Sequence, residues 1–363
     1  MSDPITITIF TVGIGLSVPI LWAALGELVA EQAGVINVGI EGVMLIGAIA
    51  AGIFFHFNDS FLLAALVGLG AGLLCGAVLG WMYVFRGMNQ IVTGIIFNLF
   101  ALGLTTSLFA SETYLAGDLN NTLPDVSVPV LKSIPWLGEV LFQQDAMVYA
   151  AIVATVLVWL LMSRTWFGVY VRAAGERPSA VLATGRDVQW VRFNAMLIAC
   201  GFAGIGGAAL IIAVAGAFNV NITVGQGFIA LAVVVVARWS PFFTALVALG
   251  FGVSQGLQFQ VNNLGFLSGL PTEFWIALPY MIVIVALALS RGSQYPPALG
   301  IPYVKPGAVS LAQRARNLIR SRGSSGSADP EAPPAPGSGT GTGSTQMRAQ
   351  PGSRSGADRK DPQ

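Results

Sequence analysis

This 363-residue chain has little charge. Only 10% of its residues are Asp, Glu, Lys or Arg, against about 25% in soluble domains, which argues against a water-soluble fold with an unusually large core. It has one histidine, His56, so a His-based metal cluster is excluded. It has two cysteines, Cys75 and Cys200, each inside an apolar run. They read as helix-packing residues rather than a disulfide or a metal site. No GxxxxGK[ST] phosphate loop occurs, so the chain does not itself hydrolyse ATP. Nor is there a nucleophile–base or metal constellation, and no enzyme activity is expected of the chain alone. The first apolar run lacks a basic leader and is too long for a signal-peptide core. It is expected to stay as a helix.

What the chain does have is grease. Hydrophobic residues make up 55% of it, with a mean hydropathy of +0.73. A membrane helix needs about 20 apolar residues. Such runs lie near 5–25, 36–57, 61–85, 91–111, 146–163, 193–215, 227–237, 241–261 and 273–290. The expected fold class is an all-α polytopic membrane protein of about nine (eight to ten) helices. The run at 227–237 is short and takes in part of the preceding NITVGQG. Before residue 305 the cations are Arg86, Lys132, Arg164, Arg172, Arg177, Arg186, Arg192, Arg238 and Arg291. With the N-terminus outside, all but Lys132 fall in cytosolic loops, as the positive-inside rule requires. The long outer loop, 112–145, carries Glu112, Asp118, Asp125, Glu139 and Asp145 instead.

At the start of the second run stands AEQAGVINVGIEGVMLIG, residues 30–47. Glycines and polar groups here break an otherwise apolar stretch. Non-helical backbone at membrane depth is tolerated only where protein or a water-filled cavity satisfies it. Asn37, Gly39, Glu41 and Gly42 are therefore candidates for a helix break beside a translocation path. Glu41 would line the path, cap exposed amides, or pair with an arginine near the cytosolic face. Asn98 and Thr105 share a face of the fourth run and would line the path or bond between helices. A second stretch, TVGQGFIALAVV, repeats the pattern with Gln226 in the polar place. Gly72, Gly76 and Gly80 in the third run match Ala248, Gly252 and Gly256 in the eighth. Small residues at this spacing let helix backbones approach closely in lipid. Matching elements of opposite sense imply an inverted repeat of four spans, a linking fifth and four more, with broken helices. Chance likeness between glycine-rich apolar stretches is the competing explanation.

The loop 164–192 carries five arginines: Arg164, Arg172, Arg177, Arg186 and, at its end, Arg192. Within the loop, ERPSAVLATG reads as a short helix. Pro178 suits the first turn and Gly185 the left-handed C-terminal position. Ala180, Val181 and Thr184 would form a small apolar knob for docking into another protein. A helix lying on the bilayer surface is the alternative. From about 305 onward, Gly, Ser and Pro dominate, and a disordered cytosolic tail is expected. AVSLAQRARNLIR just before it would be a short interfacial helix or a basic anchor for the last span. Residues 1–304 would thus form the transmembrane domain and 305–363 a juxtamembrane stretch and tail.

GELVAEQAGVINVGIEGVMLIGA, RGMNQIVTGIIFNLFALGLT, VRAAGERPSAVLATGRDV, GQGFIALAVVVVARWSP and PPALGIPYV together resemble the permease subunits of bacterial ABC importers of the simple sugar and nucleoside type. These are kin to branched-chain amino acid and ribose permeases. The resemblance covers residues 15–304 and is nearest to the shorter of two paired nucleoside permeases. It implies that the loop is a coupling helix seated in an ATPase subunit, with Ala173, Ala174, Gly175, Glu176 and Pro178 matching the family pattern. Gly175, Glu176, Arg177, Pro178, Ala180, Val181 and Gly185 are thus the candidate coupling residues. Two departures stand out. Gln32 replaces an arginine, which bears on a cytosolic salt bridge. Arg186-Asp187 replaces Ile-Asn, which bears on the docking surface. The implied partners are an ABC ATPase, a second permease in a heterodimer, a lipoprotein or periplasmic binding protein, and the lipid bilayer. No nucleic acid is expected. ATP and Mg would be bound by the ATPase, with no cofactor in this chain. The implied location is the bacterial cytoplasmic membrane, and the implied cargo a nucleoside, with a simple sugar or flavin-like compound as the alternative. A secondary transporter or channel, or a membrane scaffold, are the readings of another class.

Overall fold

Where apolar residues run unbroken the chain is helical, and where glycines and prolines gather it turns. The computed structural model describes residues 4–111, 123–127, 137–260, 272–289 and 295–303. Helices α1 (Pro4–Gln32), α2 (Ile40–Asn58), α3 (Phe61–Gly80) and α4 (Gln90–Ser111) come first. The last turn of α3 widens into a π-helical turn over Trp81–Phe85. A two-stranded ribbon then pairs β1 (Asp125–Ser127) antiparallel with β2 (Gln143–Asp145), with short α5 (Leu137–Leu141) between them. Next come α6 (Ala146–Arg164), α7 (Trp166–Glu176), α8 (Pro178–Ala183) and α9 (Val188–Ala209). A π-helical segment, Leu210–Ala215, extends α9. Helices α10 (Gln226–Val236), α11 (Pro241–Gln260) and α12 (Thr272–Leu289) follow.

Among the described residues, seven helices are long and apolar enough to cross a membrane: 5–32, 40–58, 61–85, 90–111, 146–164, 188–215 and 241–260. The expected span at 227–237 is instead the 11-residue α10. At 1.5 Å per residue it covers about 16 Å, roughly half a hydrocarbon core. Helix α12 occupies the place of the expected last span and is not among the seven. Helix α9 begins at Val188, five residues before the expected start, because Asp187 caps it by accepting from the Gln189 amide at 3.0 Å. Lys132, Arg291, Glu112, Asp118, the juxtamembrane stretch and the tail from 305 lie outside the described residues.

Helix α9 sits at the centre, with α1, α2 and α3 packed along it, and α11 runs along the other side of α1. Its small residues make this possible. Ala199, Ala203, Gly204, Gly206, Gly207 and Ala208 are all buried. A Cβ on Gly207 would meet the Met44 carbonyl of α2, and one on Gly206 would lie 2.7 Å from the Pro19 carbonyl of α1. With no hydrophobic drive between helices in lipid, such close van der Waals approach is what holds them together. The outward faces are apolar: Leu62, Leu66 and Leu74 on α3 and Ile95, Leu99 and Phe100 on α4 are exposed.

Candidate functional site

Two breaks in the helical pattern meet inside the protein. The first, residues 33–39, joins α1 to α2 and is almost wholly buried. The backbone donors of residues 33–37 each have a partner. The Val35 amide bonds the Ala30 carbonyl, and the Ile36 amide the Gln90 side chain at 2.8 Å. The Asn37 amide bonds the Glu27 carboxylate at 2.9 Å. Gly34 takes a left-handed φ of 88°, a conformation natural to glycine. Asn98 of α4 closes the start of α2. It accepts from the Gly42 amide at 2.8 Å and donates to the Val38 carbonyl at 2.8 Å. Asn98 therefore bonds between helices. Thr105 bonds the Ala101 carbonyl of its own helix.

The second break precedes α10. Gly216, Asn221, Val224 and Gly225 take positive φ, and Thr223 is fully buried. Here Glu41 of α2 does the capping. One carboxylate oxygen accepts from the Thr223 hydroxyl at 2.5 Å and the Gly225 amide at 2.8 Å. The other accepts from the Gly227 amide at 2.7 Å. Glu41 is 6% exposed. It also stands in the first turn of its own helix, so one negative charge faces the positive ends of two helix dipoles. Of the roles open to Glu41, the geometry displays amide capping, with donors drawn from the other break rather than from an arginine. A Cβ on Gly227 would lie 2.7 Å from the Glu41 Cα, so only glycine lets the two breaks touch. Gln226, in the matching polar place, has its side-chain oxygen buried without a partner.

The two small-residue stripes each face a long helix. Gly72 lies against the Cys200 carbonyl, Gly76 against the Cys200 side chain and Gly80 against Phe193, all on α9. Gly252 lies against the Gly13 carbonyl and Ser17, and Gly256 against the Ile9 carbonyl, all on α1. Ala248 is fully buried.

Below the breaks, the ends of α1, α7 and α10 share one face with the start of α9. Here the 164–192 loop folds into α7 and α8. Pro178 is at the first turn of α8, and Gly185 takes a φ of 78° with open space around it. Ala180, Leu182, Ala183, Thr184, Glu176 and Arg177 are exposed. Val181 is not: it is 1% exposed and packs inward. The expected knob of Ala180, Val181 and Thr184 needs correcting, since a helix of six residues held by one apolar side chain must turn that side chain toward its own protein. Gly175 also faces inward. A Cβ there would strike the Gln32 carbonyl, and its own carbonyl accepts from the Ala298 amide at 2.8 Å.

Several residues of this face carry no periodic signal in the sequence. Arg192, 2% exposed, donates to the carbonyls of Ile301 at 2.8 Å, Ala174 at 3.2 Å and Ala298 at 3.4 Å. It thereby ties PPALGIPYV to the 164–192 loop, while the Gly300 amide reaches the Gly34 carbonyl at 3.1 Å. Glu31 accepts from the Trp239 indole at 2.6 Å, and the Gln32 amide donates to the Trp239 carbonyl at 2.8 Å. The departure at Gln32 thus makes a neutral tie between α1 and the α10–α11 turn. Arg186 lies 5.6 Å over the Tyr170 ring. The available signal for Glu27 and Glu31 was two carboxylates a turn apart at the end of an apolar run. Arg192→Leu would leave three carbonyls without this donor, each lost bond to a charged group being worth about 1.5–3 kcal/mol. The variant is expected to melt several degrees lower in detergent, with Arg192→Lys between it and wild type. An unchanged melting temperature for the leucine variant would refute the clamp.

Comparison with known proteins accords with this architecture. Residues 9–287 match the family model described as branched-chain amino acid transport system / permease component. The nucleoside ABC transporter permease protein NupC of Lactococcus lactis is 31% identical over 300 residues, covering 80% of this chain and 94% of the relative. The guanosine ABC transporter permease protein NupQ of Bacillus subtilis is 32% identical, over 79% and 93%. The glucose ABC transporter permease protein TsgB13 of Haloferax volcanii is 27% identical, over 75% and 72%. No solved structure matches the chain. A family match over most of the sequence, two relatives above 30% identity and a membrane-length helical core agree: the chain belongs to the branched-chain amino acid transport system permease component family, whose members are multi-pass transport subunits.

Proposed function

We propose that this chain is the permease subunit of an ATP-driven importer that moves nucleosides across the bacterial cytoplasmic membrane. The nucleoside reading is supported by the two relatives whose names state nucleoside and guanosine transport. A simple sugar is the second reading, favoured by the glucose permease relative. The observation that carries the coupling is α8. It is pinned from within by Val181 and presents Ala180, Leu182 and Thr184 outward. An exposed small-residue surface on a rigidly held short helix fits a groove in a separate ATPase, which would hold ATP and Mg. A binding protein would deliver substrate on the other side. A second permease, in a heterodimer, would cover part of the apolar outer faces of α3 and α4.

The face bearing α8 also bears Arg86, Arg164, Arg172, Arg177 and Arg238 near helix ends, so we place it in the cytosol, with the N-terminus outside. We also propose the inverted repeat, with 1–304 as one permease domain and the tail apart from it. Three correspondences support it. The glycine stripe of α3 packs on α9 while that of α11 packs on α1. Both breaks are closed by a polar side chain from another helix. Helix α10, at 11 residues, has the length of half a span, as in a discontinuous helix. Alternating access would then rock one repeat against the other around the paired breaks.

Ala180→Trp tests the coupling. The bulkier side chain has room on this surface, so the permease should insert and melt normally, while ATPase co-purification and uptake fall at least tenfold. Normal uptake with the ATPase retained would remove α8 from the coupling path.

A further inference from the structure

Beside α8, on the same face, is a cleft of about 800 Å³. Three arginines line it from separate places: Arg172 on α7, which also donates to the Met162 carbonyl, Arg177 between α7 and α8, and Arg238 after α10. Among the described residues Glu176 is the one carboxylate in the lining, and Tyr295 supplies aromatic surface, with Trp239 largely buried behind it. Those two rings meet edge to face at 5.2 Å. Tyr295 is 52% exposed, so its ring is available to a ligand.

The backbone at the rim is unusual. Arg238 and Trp239 take φ of 54° and 56° in succession. Left-handed conformation in large side chains is rare and costs on the order of 1–3 kcal/mol per residue. The strain is held by specific ties: Gln32 on the Trp239 carbonyl, Glu31 on its indole, and the Val234 carbonyl on its amide at 3.2 Å. A strained turn, anchored by the buried Trp239 and fixed from several sides, sets Arg238 at the edge of a cationic cleft, as a ligand site requires. Guanidinium groups bind phosphate oxygens in a bidentate fashion, an adjacent ring offers stacking to a flat group, and the volume lies within the usual range for small-molecule sites, about 300–1,000 Å³.

We propose that this cleft binds a small phosphate monoester, and that its occupant damps coupling by sitting beside α8 where the ATPase docks. If the cargo is a nucleoside, the ligand is the monophosphate made by the phosphotransfer step that consumes the imported product, so import slows as product accumulates. This regulatory part rests on the cytosolic placement and nucleoside reading given above. The binding itself does not.

The test uses the complete transporter in phosphatidylcholine nanodiscs and calorimetric titration with inorganic phosphate, ribose 5-phosphate, adenosine 5′-monophosphate and adenosine. The three phosphate-bearing probes should bind and adenosine should not displace them. Arg238→Gln and, separately, Tyr295→Ala test the site. The first should weaken all three probes at least tenfold. The second should weaken the nucleotide at least threefold more than phosphate. Ribose 5-phosphate, and the comparison of each probe with Arg238→Gln, separate this cleft from the nucleotide sites of the ATPase. Substrate-stimulated ATP hydrolysis should fall at least twofold with saturating monophosphate in wild type and be unaffected in Arg238→Gln. A transporter that carries sugar would still bind phosphate here, so failure of the nucleoside reading is distinguishable. Binding indifferent to Arg238→Gln would overturn the proposal. So would binding by the isolated permease that vanishes in the complex, which would make the cleft part of the ATPase seat. Loss of soluble-ligand binding in phosphatidylglycerol nanodiscs would assign it to a lipid headgroup and overturn it as well.

Discussion

Replacing Glu41 by leucine is expected to abolish uptake and to lower the melting temperature of the purified permease. The Glu41 carboxylate accepts from the amides of Gly225 and Gly227 and from the Thr223 hydroxyl. Leucine would leave both amides unpaired in a buried place, at about 1–3 kcal/mol each, and more where lipid rather than water is the surroundings. It would also remove the one charge facing two helix N-termini. Glu41→Gln is expected to be intermediate, with uptake down about tenfold, one lost charged-acceptor bond of about 1.4 kcal/mol or more being a factor of ten. If capping needed only one oxygen, glutamine would serve nearly as well. Here each oxygen faces a backbone amide, and the carboxamide nitrogen would meet a donor with a donor. Radiolabelled nucleoside uptake and thermal unfolding in detergent measure the two effects. A leucine variant equal to wild type in both would show that the breaks do not depend on this cap.

Gly204→Leu is expected to prevent assembly of the core. Gly204 is where α9 meets two helices at once. A Cβ there would strike the Gly68 carbonyl of α3 and lie 2.9 Å from the Gly72 Cα, while the Gly204 carbonyl sits 2.6 Å from the Cβ position of Gly47 on α2. Overpacking against side chains costs about 1–3 kcal/mol because they can move. Here the obstacles are backbone atoms of α3. Membrane abundance of folded protein should fall more than fivefold, read by fluorescence-detected size exclusion. Gly70→Leu is the control, since a Cβ at Gly70 meets nothing within 4 Å, and its abundance should stay within twofold of wild type. Equal abundance of the two variants would mean that α3, α2 and α9 are not packed on glycine.

The difference between Val181 and Ala180 shows where sequence reading stops. Both are small and apolar and sit side by side in a short helix, so composition cannot say which turns inward. Which face of a six-residue helix is buried depends on what lies behind it, and that is supplied by distant segments. The same holds for span number. Apolar length marked the membrane-length helices, because crossing hydrocarbon demands a continuous local run. Helix α10 reads as a short span because its break is formed by turns and positive-φ residues whose partners lie elsewhere.

By itself, the sequence determined the membrane class, the places of the seven long helices, the four-residue spacing of the small-residue stripes, the start and stop of α8 at Pro178 and Gly185, and the family. All but the family, which rests on the likeness of whole motifs, are set by local composition or periodicity, which acts within a few residues of chain. Only the tertiary structure decided that Glu41 closes a helix start 184 residues away, that Asn98 bonds between helices while Thr105 bonds its own, that Arg192 clamps the closing motif, and that Val181 faces in. These pairings satisfy buried polar groups or fill space between elements remote in sequence. Many partners would satisfy the same chemistry, and only the packing of α1, α2 and α3 around α9 selects among them.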